Sequence, residues 1–127
     1  MTDFDTLPAF KPDKTLKNSE CRSITSISVF GIGYVGTVTA AILANCGFNV
    51  TAVDINASKV DQLNDGESPI IEAKTDELVE SGVEKDRLSA TTDGVAATRD
   101  ADVTFVCTGT PVDHEGIVDI SSVLAVA

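Results

Sequence analysis

No apolar run in the sequence approaches the roughly 20 residues that a membrane-crossing helix needs. The opening "MTDFDTLPAF" lacks the basic start and apolar core of a secretory signal. Both absences lead to the expectation of a soluble, cytoplasmic protein. Cysteine is scarce: Cys21, Cys46 and Cys107 are widely spaced and form neither a CxxC pair nor a zinc pattern. The expectation is no metal site and three reduced thiols, with Cys46 and Cys107 packed as small apolar side chains. Basic residues are scarce as well. Nine Lys and Arg stand against 20 Asp and Glu, for a net charge of −11. Residues 1–25 hold four of each sign, so the whole excess falls on residues 26–127. Such a surface repels phosphates, which argues against nucleic acid or an anionic membrane as a partner. An excess of this kind suits a high-salt host, where screening relieves self-repulsion. The single histidine, His114, sits in a polar loop with no acid or nucleophile placed to activate it, and reads as a surface residue rather than a catalytic one.

What is present is an α/β pattern. The 127 residues, 43% of them apolar, suffice for one domain with a real core. Residues 1–24 show no sustained period and read as a flexible extension, leaving 25–127 as the domain. Within it "SISVFG", "NVTAVD", "RLSATT" and "DVTFVCTG" read as strands, the last one strongly buried. Between them, "VGTVTAAILANCG" reads as a helix with Val35, Val38, Thr39, Ile42, Leu43 and Cys46 recurring at three and four, ended by Gly47. "NASKVDQLNDG" is a second helix capped by Asn56, with Gly66 after its end. "TDELVESG", "DGVAATRDA" and "DISSVLAVA", the last starting near Asp119, complete the set. Strands alternating with short helices predict a doubly wound parallel sheet of Rossmann type. It is truncated at about four strands, where a full dinucleotide fold has roughly six.

Gly31, Gly33 and Gly36 form G-x-G-x-x-G between the first strand and the first helix. A turn alone needs one glycine. In a dinucleotide-binding turn, Gly31 allows the sharp exit from the strand, Gly33 lets a pyrophosphate lie against the backbone, and Gly36 lets the helix pack closely. N–H groups at the helix start, around Tyr34 and Val35, then face the phosphates. The second strand ends in Asp54, 18 residues after Gly36. Taken alone it is a solvated loop acid. In this order it is a carboxylate that accepts both hydroxyls of an adenosine ribose and repels a 2′-phosphate, which selects NAD. Lys59 is either a solvated helix charge or a reach toward that ribose.

"FGIGYVG", "AVDIN", "LNDGESPIIE", "LSATTD", "ADVTFVCTGTP" and "DISSVLAVA" follow one another at spacings that resemble the amino-terminal domain of the UDP-glucose/GDP-mannose dehydrogenase family. The resemblance covers about residues 26–127. It implies an enzyme that oxidises the C6 alcohol of a nucleotide sugar to a carboxylate with two NAD⁺ in succession. The closing segment resembles the UDP-glucose branch, whose product is UDP-glucuronate, more than the N-acetylmannosamine branch. UDP-N-acetylmannosamine and GDP-mannose remain as alternatives. The family's glycine loop falls on Gly31, Ile32, Gly33, Tyr34, Val35 and Gly36, its ribose acid on Asp54 and its following base on Lys59. Its "GTP" turn falls on Gly109, Thr110 and Pro111, with Thr108 just before it, as cofactor contacts. Thr110 either donates its hydroxyl to the cofactor or is an ordinary threonine of a strand end.

The chain departs from the family in one loop, where "EAKTDEL" places Ala73 at a usual proline, so no role passes to Glu72. The family's nucleophilic cysteine, its lysine and its sugar-binding residues belong to later segments. No catalytic residue is therefore expected here. Cys107 is read inside a strand with no basic partner to make it a thiolate. The expectation is a cofactor-binding domain that binds NAD but does not turn over alone, from an oligomeric parent whose substrate domain meets the nucleotide sugar. A non-enzymatic NAD-sensing module explains the glycines and Asp54 but not the "PIIE", "ATTD" and "GTP" segments together.

Overall fold

The structure, a computed structural model, describes residues 23–127. Cys21 and all but the last two residues of the expected extension lie outside the described residues. Four parallel strands form one sheet in the order β3-β2-β1-β4. They are β1 (Ser26–Phe30), β2 (Asn49–Val53), β3 (Leu88–Thr91) and β4 (Val103–Val106). The helices are α1 (Tyr34–Asn45), α2 (Ala57–Asn64), α3 (Thr75–Glu84), α4 (Gly94–Asp100) and α5 (Ser121–Val126). Each expected element is present. No helix among the described residues is long and apolar enough to cross a membrane.

Strand alternation sorts the side chains onto two faces. Ile27 and Val29 of β1, with Val50 and Ala52 of β2, join Ala41, Val60 and Val79 from α1, α2 and α3 in the main core. Phe30 and Val53 point the other way and pack with Ala97 of α4 and Val126 of α5. Helices therefore cover both faces, as a doubly wound sheet requires. The apolar strands follow from this double burial.

The buried face of α1 differs from the expected stripe. Gly36, Thr37, Ala40, Ala41 and Ala44 are buried. Val35 and Ile42 are 68% and 47% exposed, and Cys46, at the C-cap, is exposed rather than packed. The cause is distance. A Cβ at Gly36 would overlap the Gly31 carbonyl oxygen, so the start of the helix sits close against the turn after β1 and the helix presents mostly small side chains to the core. The helix ends as expected, with Gly47 at φ +103°.

β4 is less buried than its composition suggests. It pairs only with β1 among the described residues, and Phe105 and Val106 are 40% and 44% exposed. It also ends at Val106, so Cys107 lies just past the strand, although its N–H still bonds Phe30 O at 2.7 Å. The opposite edge is capped at one residue, Ala90. The Asn64 amide receives the Ala90 N–H at 2.8 Å and donates to the Ala90 carbonyl at 2.9 Å, standing in for a further strand beside β3. At the amino ends of the strands, Asp102 accepts from Thr25 N and Ser26 N and fixes the start of β1. α5 begins at Ser121, near Asp119 as expected; the Asp119 carboxylate accepts the Ser121 N–H at 2.9 Å just ahead of it.

Candidate cofactor site

The turn after β1 is built from three glycines with three different reasons. Gly31 N donates to Val53 O at 2.7 Å and so continues the ladder to β2. Its φ is +99°, and a Cβ there would stand 2.7 Å from the Cys107 carbonyl oxygen. A side chain is thus excluded both by conformation and by space. Gly36 is excluded by the Gly31 carbonyl. Around Gly33, the N-cap of α1, no atom lies within 4 Å of where a Cβ would stand. The protein leaves that space open.

The first helical bond of α1 runs from Thr37 N to Gly33 O at 3.0 Å. The N–H groups of Tyr34, Val35 and Gly36 precede it and have no carbonyl partner within the helix. No side chain caps this end, and no acid sits in its first turn. Uncapped donors at the positive end of a twelve-residue helix favour an anion.

Asp54 follows β2 directly. Its Oδ2 accepts the Ile32 N–H at 2.8 Å and its Oδ1 accepts the Asn56 N–H at 2.9 Å. Asn56 in turn caps α2, accepting from Ser58 N at 3.0 Å and Lys59 N at 3.4 Å. Past β4, the Thr108 hydroxyl oxygen is buried and has no hydrogen-bond partner among the described residues. A buried hydroxyl without a partner at a cleft wall is a donor awaiting an acceptor.

These pieces meet in one open cleft of about 1130 Å³ at the carboxyl ends of the strands. Of the residues singled out from the sequence, Gly31, Ile32, Gly33, Tyr34 and Val35 line it. So do Asp54, Lys59, Thr108, Gly109 and Thr110. Gly36 and Pro111 do not; Gly36 acts by packing beneath the turn. The cleft has a second wall that sequence reasoning missed, with Val95, Thr98 and Arg99 from α4 and Ser122 and Val126 from α5. Their only signal in the sequence was a small-residue helix with one base. Ile55 and Val95 show wide apolar surface, 98% and 70% exposed.

The cleft departs from the charge of the chain. Among the described residues Asp54 is the only acid lining it, and Lys59 and Arg99 are its bases, on a chain of net charge −11. Neither base makes an ion pair among the described residues.

Chemically reactive groups are poorly represented. Cys107 lines the cleft, but burial pushes its thiol above the usual range, away from the thiolate. His114 has Glu115 at 3.9 Å, an acid neighbour the sequence reading did not grant it, yet both are exposed and neither lines the cleft. The loop at the departure from the family pattern has Lys74 at φ +66°, and its Glu72 lies outside the cleft.

Residues 25–127 match the family described as "UDP-glucose/GDP-mannose dehydrogenase family, NAD binding domain". A GDP-mannose 6-dehydrogenase of Pseudomonas aeruginosa is 45% identical over 94 residues, 74% of this chain and 22% of that protein. A UDP-glucose 6-dehydrogenase of Bacillus subtilis is 36% identical over 98 residues, 77% of this chain and 22% of that protein. The solved structure of a UDP-glucose dehydrogenase from Pyrobaculum islandicum superposes with a TM-score of 0.78 at 35% identity, covering 82% of this chain and 24% of that one. The chain thus spans less than a quarter of the length of these relatives. With a glycine turn under an uncapped helix, an acid at the end of β2 and this match over nearly all the described residues, the chain belongs to the UDP-glucose/GDP-mannose dehydrogenase family, as its NAD-binding domain.

Proposed function

We propose that the domain holds NAD for an enzyme that oxidises the C6 alcohol of a nucleotide sugar to a carboxylate. The observation that carries this reading is the open space over Gly33 beneath uncapped N–H groups, in one cleft with the carboxylate of Asp54. The pyrophosphate lies over Gly33 and accepts from Tyr34 and Val35. Asp54 accepts the hydroxyls of the adenosine ribose. Lys59 and Arg99 add positive charge beside it, and the exposed apolar surfaces of Ile55 and Val95 suit a flat base. Thr108, with its unpartnered hydroxyl, and the Gly109–Thr110–Pro111 turn serve the nicotinamide half. NAD, when bound, supplies the hydride acceptor.

UDP-glucose is the substrate suggested by the closing "DISSVLAVA". A second reading, GDP-mannose, is favoured by the 45% identity to the Pseudomonas enzyme. The sugar site, the base that takes the alcohol proton and the nucleophile that traps the aldehyde are supplied by sequence other than residues 23–127. Cys107 is a half-buried thiol past β4, held toward its neutral form, Cys46 is exposed at the C-cap of α1, and His114 stands in an exposed loop.

Calorimetric titration of the chain with NAD and NADP tests the cofactor reading. NAD should bind at least about tenfold more tightly, because a 2′-phosphate meets the Asp54 carboxylate. Equal or tighter binding of NADP overturns it.

A further inference from the structure

The Asp54 carboxylate touches two loops at once, through one oxygen each. Oδ2 takes the N–H of Ile32, the residue between Gly31 and Gly33. Oδ1 takes the N–H of Asn56, the cap of α2. Ile32 is also anchored from its other side, because its side chain is fully buried in the main core. The turn that holds the open space over Gly33 is therefore pinned by a buried side chain below and a carboxylate above.

We propose that Asp54 is a positioning residue for the phosphate cradle: it ties the β1–α1 turn to the β2–α2 turn and sets both before a nucleotide arrives. The proposal rests on the nucleotide reading for its ligand, and goes beyond it by giving the acid a task that does not involve the ribose. Both partners are N–H donors, so both oxygens must accept. A carboxylate does this and an amide does not: asparagine has one acceptor oxygen and would turn an NH₂ group toward a donor. The brace does not compete with a ribose. Each carboxylate oxygen has two lone-pair sites, and the backbone takes one at each. A loop held in its bound shape loses less freedom on binding, so the brace acts on affinity for any phosphate-bearing ligand of the cradle.

Two measurements on Asp54→Asn separate the tasks. The first is amide hydrogen exchange without nucleotide. In the unaltered chain the Ile32 and Asn56 amides should exchange at least about tenfold more slowly than unstructured amides, and in the variant both should speed up. The second is titration with ADP and with 2′,3′-dideoxy-ADP, which lacks the ribose hydroxyls. The variant should lose about tenfold affinity for the dideoxy compound, and more for ADP. A variant that binds dideoxy-ADP as the unaltered chain does, or keeps slow exchange at Ile32, overturns the brace and leaves Asp54 with the ribose alone. If the variant does not fold, the unaltered chain decides: Ile32 and Asn56 amides that exchange at unstructured rates overturn the proposal. An unaltered chain that shows slow exchange at both amides but binds neither nucleotide supports the brace and removes the nucleotide reading instead.

Discussion

Three glycines of one motif face three different tests when each is given a side chain. Gly31 and Gly36 meet backbone atoms, so substitution there breaks the turn itself. Gly33 meets nothing, and its φ of −94° is open to any residue. Gly33→Val should therefore fold normally, with stability changed by no more than about 0.5 kcal/mol. It should lose NAD binding by about a hundredfold or more, because the new side chain fills the space proposed for the pyrophosphate. Melting followed by circular dichroism, together with calorimetry, reads both. A folded Gly33→Val chain with normal affinity places the phosphates elsewhere. The spacing of the glycines and of Asp54 was legible in the sequence because Gly31 and Asp54 directly follow strands and Gly33 and Gly36 open the helix after the first, where the period changes. The grip of Asp54 on Ile32 N and Asn56 N was not, since a bond between side chain and backbone across 22 residues leaves no mark on residue type.

Among the elements, α1 shows where pattern and packing part. Hydrophobic periodicity favours Val35, Ile42 and Cys46 as the buried stripe, but the close approach at Gly36 selects Thr37, Ala40, Ala41 and Ala44. Two substitutions separate the readings. Ala41→Leu should cost about 1–3 kcal/mol through overpacking, while Ile42→Lys should stay within about 0.5 kcal/mol. Urea unfolding of the two chains measures both, and the reverse ranking would return the stripe to the large residues. The helices and strands themselves were legible, since alternating runs of period 2 and 3.6 survive without tertiary knowledge. The second wall of the cleft was not. Val95, Thr98 and Arg99 on α4 look like one short helix among others until the crossover brings them opposite Ile55 and Lys59. β4 is less covered than the composition of "DVTFVC" suggests because, among the described residues, it pairs with β1 alone.

At the scale of the whole molecule, charge and edges dominate. A net charge of −11 on 127 residues destabilises the compact state by self-repulsion. The exposed His114–Glu115 pair at 3.9 Å offsets little of this. Raising KCl from low to molar concentration shortens the Debye length from ~30 Å to about 3 Å. The melting temperature should therefore rise by several degrees, which corresponds to about 1 kcal/mol in a domain of this size. A melting point indifferent to salt would count against a high-salt origin. The capped edge at Asn64 has a further consequence. The sheet is polar in the sense that a growing filament is polar: among the described residues one edge carries a side-chain cap at Ala90, and the β4 edge carries none. A strand that pairs beside β4 shields Phe105 and Val106 as it does so.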